Sequence, residues 1–173
     1  MRRVRYAVAV SLDGYIAGPN GEADWIIMDP AIDFNALFEQ FDTVLLGRRT
    51  FEAMASSGNA GIPGMKTYVF SRTLRQSDHP DVTIVDEVSA EALAAIQATP
   101  GKDIWLFGGG SLFRSFLNLG LVDTLEVGVI PVLLGGGIPL VASPARQTKL
   151  ALTSHRVYQT GIVSLEYAIQ KTE

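Results

Sequence analysis

Three places in the sequence gather residues able to hold an anion. The first is Gly108-Gly109-Gly110, set between the apolar run Ile104–Phe107 and the segment Ser111-Leu112-Phe113. Three glycines clear every side chain from a turn. A phosphate can then approach backbone N–H groups where a helix begins and its dipole is positive. The competing reading is a tight turn at positive φ, for which one glycine is enough. The run is not the G-x-G-x-x-G fingerprint, because the acidic residue expected about 20 positions on is replaced by Gly128. No Gly-Lys-Ser/Thr follows, which excludes a P-loop. The second place is Gly47-Arg48-Arg49-Thr50, directly after Leu45-Leu46. An arginine fork matches phosphate oxygens and Thr50 offers a hydroxyl. A capping threonine beside solvated arginines is the alternative. The third is Ser71-Arg72 after Phe70, which also reads as ordinary surface.

These residues need rigid elements behind them. Val4 to Val10 reads as a buried strand ended by Asp13-Gly14, and residues 17–24 as a loop rich in breakers. Asp29-Pro30 opens a helix to about Gln40, with Phe34, Leu37, Phe38 and Phe41 as one apolar stripe. Further strands are read at 43–46, 67–70, 82–85, 103–107 and 124–130. Helices are read at 49–55, 89–98 (capped by Ser89) and 111–118. Two final strands, about 149–158 and 162–169, turn near Gly161 as an antiparallel hairpin. Alternation of strands and helices predicts an α/β, three-layer fold. Its central sheet of about eight strands is mostly parallel, with helices on both faces and the hairpin closing it. Residues 1–173 read as a single domain. In such sheets ligands bind beyond the carboxyl ends of the strands, where all three motifs fall.

Composition narrows the chemistry. The chain has no cysteine, which excludes disulfides, thiolate metal sites and a cysteine nucleophile. Its two histidines, His79 and His155, are far apart and carry no ligand spacing, so no metal site is expected. Net charge is −4, with 14 basic and 18 acidic residues, which disfavours a nucleic-acid partner. Arg2, Arg3 and Arg5 alternate with apolar residues and read as one face of a strand. No apolar run reaches transmembrane length and no signal peptide is read, so the expected location is cytoplasmic, away from the membrane.

The ordered segments Ser11-Leu12-Asp13-Gly14-Tyr15-Ile16-Ala17, Asp24-Trp25, Gly47-Arg48-Arg49-Thr50-Phe51-Glu52, Phe70-Ser71-Arg72-Thr73-Leu74 and Gly108-Gly109-Gly110 together resemble the dihydrofolate reductase-like family. The resemblance is to the branch containing the C-terminal reductase domain of riboflavin-biosynthesis deaminase-reductases. Leu121-Val122-Asp123 and Ile130 to Gly135 extend it over nearly the whole chain. It implies an NADPH-dependent reductase acting on a pterin- or pyrimidine-like small molecule. Gly108, Gly109, Gly110, Ser111 and Leu112 would hold the cofactor pyrophosphate. Gly47, Arg48, Arg49 and Thr50 would touch phosphates and adenosine, and Ser71 and Arg72 the ribose and its 2′-phosphate. Ala9 and Ile16 would lie near the nicotinamide, and the loop through Trp25 would close over the reacting centre. A charge-assisted bond from Arg72 or Arg48 to a 2′-phosphate, roughly 1.5–3 kcal/mol, would favour NADPH over NADH by about 10- to 150-fold.

Reducing a C=N bond also needs a proton. In dihydrofolate reductases a carboxylate on the first helix supplies it, which points to Asp33. A partly buried acid there would have a raised pKa. The alternative is a first-turn acid complementing the helix dipole. Asp13 is a rival acid at the substrate pocket, or a structural turn residue. The missing cysteines exclude a zinc deaminase, leaving a reductase without its own deaminase. A module of the same fold that binds nucleotide without turnover, as sensor or scaffold, fits the same turns. Relatives of this kind commonly form homodimers, and Val129 to Leu140 is the candidate two-fold surface.

Overall fold

In the computed structural model, which describes residues 1–171, the elements follow in this order. They are β1 (Val4–Ser11), β2 (Tyr15–Ala17), α1 (Phe34–Phe38), β3 (Phe41–Gly47), α2 (Arg48–Ser56), β4 (Lys66–Phe70), β5 (Thr83–Val85), α3 (Ala90–Gln97), β6 (Asp103–Gly108), α4 (Gly110–Asn118), β7 (Thr124–Ile130), β8 (Ile138–Pro139), β9 (Leu150–Val157) and β10 (Val163–Ile169). Eight strands form one sheet in the order β5-β4-β3-β6-β1-β7-β10-β9. The first six run parallel to their neighbours, and β10 runs antiparallel to both β7 and β9.

The two-residue period of a strand divides the core. Val4, Tyr6, Leu45, Ile104 and Leu106 face the side covered by Leu93 and Ile96 of α3 and by Phe113, Phe116 and Leu117 of α4. Val44, Leu46, Val69 and Trp105 face the other side, against Phe51 of α2 and Leu37 of α1. Central strands buried on both faces need continuous apolar runs, which is what Val44-Leu45-Leu46 and Ile104-Trp105-Leu106 supply. Tyr6 and Phe113 stack with ring centroids 3.9 Å apart. Each large side chain buried this way contributes about 1.5–3 kcal/mol. The expected sheet of eight strands with a C-terminal antiparallel pair is the fold observed.

Three local expectations change. The helix read from Pro30 to Gln40 is a single turn, Phe34–Phe38. Asp29 does not cap it. Its carboxylate accepts from the Ala31 N–H at 2.8 Å and from the Thr160 hydroxyl at 2.8 Å, fixing a turn against the β9–β10 connection. Asp33 is the cap instead, accepting from Ala36 N–H. Phe41 leaves the helical stripe and enters β3, because both it and Phe38 stack on Trp105 at 5.4 Å. The arginines at the start do not share a face. Arg3 and Arg5 converge on Asp103, whereas Arg2 donates to the carbonyls of Ile96 and Thr99 at the end of α3 and to Asp42. Finally, β2 and β8 pair as a small separate ribbon, so the loop after β1 is tied to the one after β7. Within the candidate two-fold stretch, Val129 and Ile130 belong to β7, while Leu133 and Ile138 are exposed. No helix among the described residues is long and apolar enough to cross a membrane.

Candidate functional site

Sheet order explains how motifs distant in sequence meet. β4, β3 and β6 are consecutive neighbours, and their register sets Gly47 opposite Phe70 and Leu46 opposite Gly108. Their carboxyl ends therefore open side by side onto one groove of about 650 Å³. Gly47, Arg48, Arg49 and Thr50 line it from one strand end, and Ser71 and Arg72 from the next. Gly109, Gly110, Ser111 and Leu112 line it from the third.

Two helices begin at this groove. α2 starts after Gly47 and α4 after Gly109; neither cap residue has a side-chain hydrogen bond, and neither first turn holds an acid. At α1 and α3, by contrast, Asp33 and Ser89 provide side-chain caps. Bare N-termini leave backbone donors and positive dipole ends for an anion. Thr50 lies inside α2 and is not its cap.

The three glycines have three different reasons to be there. Gly108 has φ +146°, a conformation side chains resist. A Cβ on Gly109 would lie 3.7 Å from the Thr50 hydroxyl and 4.0 Å from Ile16 Cδ1, so this residue is the open floor. A Cβ on Gly110 would run into the Pro139 carbonyl, because the segment after β8 crosses directly over it. Ile16 is thus placed beside the glycine turn. The Ser71 hydroxyl accepts from the Thr73 and Leu74 N–H groups at 3.2 and 3.1 Å and shapes its own turn.

Arginines dominate the charge. Arg48, Arg49, Arg72 and Arg114 line the groove, against Asp86 and Glu87. Arg48 lies 3.6 Å from Glu52, Arg72 3.5 Å from Glu87, and Arg114 donates to the Ser143 carbonyl at 3.1 Å. Exposed pairs of this kind hold their partners weakly.

A second cavity, about 490 Å³, is lined by Ala7, Val8 and Ala9 of β1, by Phe34, Leu37 and Phe38 of α1, and by Trp105. Its apolar walls suit a flat ring. Asp33, Glu126, Arg156 and Glu166 supply the charge. Glu126 is held by Arg5 in two contacts of 2.7 and 2.8 Å, and Arg156 stands over the Tyr158 ring at 4.7 Å. Asp33 lines this cavity but is exposed, and its Oδ1 accepts from Ala36 N–H at 3.0 Å.

Asp13 and Trp25 are not brought into that lining. Asp13 accepts from the Ser11 hydroxyl at 2.6 Å and from the N–H groups of Gly135 and Leu134 at 2.7 and 3.1 Å. The hydroxyl first, and then the two amides, hold its carboxyl below the usual range. It clamps the loop after β7. Trp25 donates its indole N–H to the Glu22 carbonyl at 3.0 Å, and the residues that follow it, Ile26 to Met28, reach the cavity instead.

Sequence reasoning missed Asp86, Glu87 and Arg114 in the groove, and Glu126, Arg156 and Tyr158 in the cavity. Asp86-Glu87 directly follows β5, so the strand-end rule that found the other motifs applied to it as well. Arg114 sits on α4 one turn beyond Gly110, on the same side of the helix.

The chain is similar to known proteins over nearly its whole length. Residues 2–164 match the family described as the RibD C-terminal domain. The uncharacterized Bacillus subtilis protein YyaP is 38% identical over 96% of this chain and 94% of its own. The riboflavin biosynthesis protein RibD of Corynebacterium ammoniagenes is 30% identical over 81% of this chain, which matches only 46% of that protein. A crystal structure from Shewanella sp. PV-4, assigned provisionally to riboflavin biosynthesis, superposes with TM-score 0.83 at 26% identity, covering 99% of this chain and 100% of its own. Dihydrofolate reductase from Enterococcus faecalis, solved with NADP(H), shares the fold alone at TM-score 0.70 and 19% identity, covering 98% and 97% of the two chains. With the glycine turn, the arginine-lined groove and the sheet order all in place across that matched span, the chain belongs to the RibD C-terminal domain family and has the dihydrofolate reductase-like fold.

Proposed function

We propose that this protein is a pyridine-nucleotide-dependent reductase, using NADPH, that transfers hydride to a pterin- or pyrimidine-like ring. The observation that carries this reading is the pair of bare helix N-termini opening, with four arginines, onto one groove. Such a groove fits a ligand with several phosphates in a protein whose net charge is −4. A bound nicotinamide supplies hydride.

The chain's own residues do the rest. The first-turn amides of α2 and α4 bind phosphate oxygens, and Arg48, Arg49 and Arg114 add charge. Ala9 lines the cavity and Ile16 lies beside the glycine turn of the groove. The walls formed by Leu37, Phe38 and Trp105 hold a flat substrate and exclude water. Asp33, the cap of α1 that lines this cavity, is the carboxyl that would pass a proton to the ring.

Titration of the purified protein with NADPH and NADH, followed by nucleotide oxidation across pterin and aminopyrimidine substrates, tests the reading. Binding with turnover supports it. Failure to bind either nucleotide overturns it. Binding without turnover on any ring supports the second reading, a nucleotide-binding sensor or scaffold, which the capping role of Asp33 favours.

A further inference from the structure

One end of the groove holds carboxylates that the reading above leaves unused. β4 and β5 pair with Phe70 opposite Val85, and the Ser71 N–H donates to the Val85 carbonyl at 2.9 Å. That pairing sets the Ser71-Arg72 turn against Asp86-Glu87. Arg72 Nη2 lies 3.5 Å from Glu87 Oε2. Both side chains line the groove and remain open to it, 79% and 66% exposed. Asp86 lines it beside them.

We propose that Glu87 determines nucleotide selectivity, and that through it the groove accepts NADH as well as NADPH. The inference rests on the pyridine-nucleotide reading. Arg72 is the cation that the family resemblance sets beside a 2′-phosphate, and here it faces Glu87. A 2′-phosphate must draw Arg72 away from that carboxylate. A 2′-hydroxyl instead donates a hydrogen bond to Glu87 and leaves the ion pair intact. Exposure keeps each effect small, so the two nucleotides bind within about tenfold of one another. The wide preference expected from an arginine acting alone is thereby reduced.

Dissociation constants for NADPH and NADH, measured by calorimetry at low and high salt, test this without any substrate. Glu87→Gln is expected to tighten NADPH about fivefold and to leave NADH unchanged or weaker. Glu87→Lys is expected to shift selectivity further in the same direction. Because Glu87 acts through Arg72, the gain disappears in the Arg72→Ala, Glu87→Gln double variant. It also shrinks at high salt. Equal changes for both nucleotides, or a gain that survives without Arg72, overturns the proposal. A wild-type protein that binds neither nucleotide overturns the pyridine-nucleotide reading itself, and this inference with it.

Discussion

Asp33 carries two duties that a single substitution can separate. As the N-cap of α1 it satisfies the Ala36 N–H, and asparagine caps a helix about as well as aspartate. As a proton donor only the acid serves. Asp33→Asn should therefore leave the melting temperature nearly unchanged while lowering the hydride-transfer rate by about 10²- to 10⁴-fold. Asp33→Ala should lower the rate similarly and also cost about 1 kcal/mol of stability. Steady-state kinetics beside thermal melts check this, and full activity in Asp33→Asn removes the donor role. At this scale the sequence was informative wherever chemistry is written in neighbours. Gly47-Arg48, Ser71-Arg72 and the glycine run each stand at a strand end. Arg156 was hidden because its place beside the cavity depends on pairing across the sheet, which no local spacing encodes, whereas Glu87 at the end of β5 and Arg114 one turn into α4 were within reach of the same local rules.

Among the elements, the segment from Leu134 to Ala142 does the most positioning with the least regular structure. Asp13 holds its start through two amides, and β8 pairs with β2. The Ala142 N–H donates to the Gly110 carbonyl at 3.3 Å, and the Tyr6 hydroxyl to the Leu140 carbonyl at 3.3 Å. The segment thus lies across the start of α4, where a side chain on Gly110 has no room. Gly110→Ala should displace it at a cost of about 1–3 kcal/mol, lowering the melting temperature by roughly 2–10 °C, and should weaken nucleotide binding as α4 shifts. Gly109→Ala, with only the Thr50 hydroxyl and Ile16 nearby, should melt close to wild type yet bind nucleotide less well, because its methyl group intrudes on the groove floor. Equal melting temperatures for the two variants would contradict this division of roles. The ribbon of β2 and β8 was illegible in sequence because three residues against two carry no periodicity. The shortened α1 was misread because Phe41 continues a helical stripe while belonging to a strand.

For the whole molecule, apolar runs and turn residues were enough to read an eight-stranded α/β sheet, since central strands buried on both faces leave a signal that survives without knowing their order. The order itself, which creates the groove, was not legible, because pairing between strands distant in sequence leaves no local signal. The same architecture makes the fold acid-sensitive through carboxylates that join remote segments. Asp29 ties the 29–32 turn to the β9–β10 connection, and the Ala31 N–H followed by the Thr160 hydroxyl holds its carboxyl below the ordinary 3.8. Asp103 joins the starts of β1 and β6. Burial pushes its carboxyl upward, but hydrogen bonds from Arg3 and the charges of Arg3 and Arg5 outweigh that and hold it low. Asp13 is lowered as well. A carboxyl whose native pKa is depressed adds stability that is complete above its unfolded value and is lost as pH falls through the native one. The urea midpoint should therefore stay level from neutral pH to about pH 5 and fall steadily below about pH 4. Asp29→Asn should unfold more easily at neutral pH, because the neutral amide is a weaker acceptor for Ala31 and Thr160. Its midpoint should also fall less steeply in acid, so the two curves draw together as pH falls through the depressed pKa of the wild-type carboxyl. Parallel curves throughout that fall would mean that Asp29 titrates alike in the folded and unfolded chains, and that its bonds to Thr160 do not hold the two segments together.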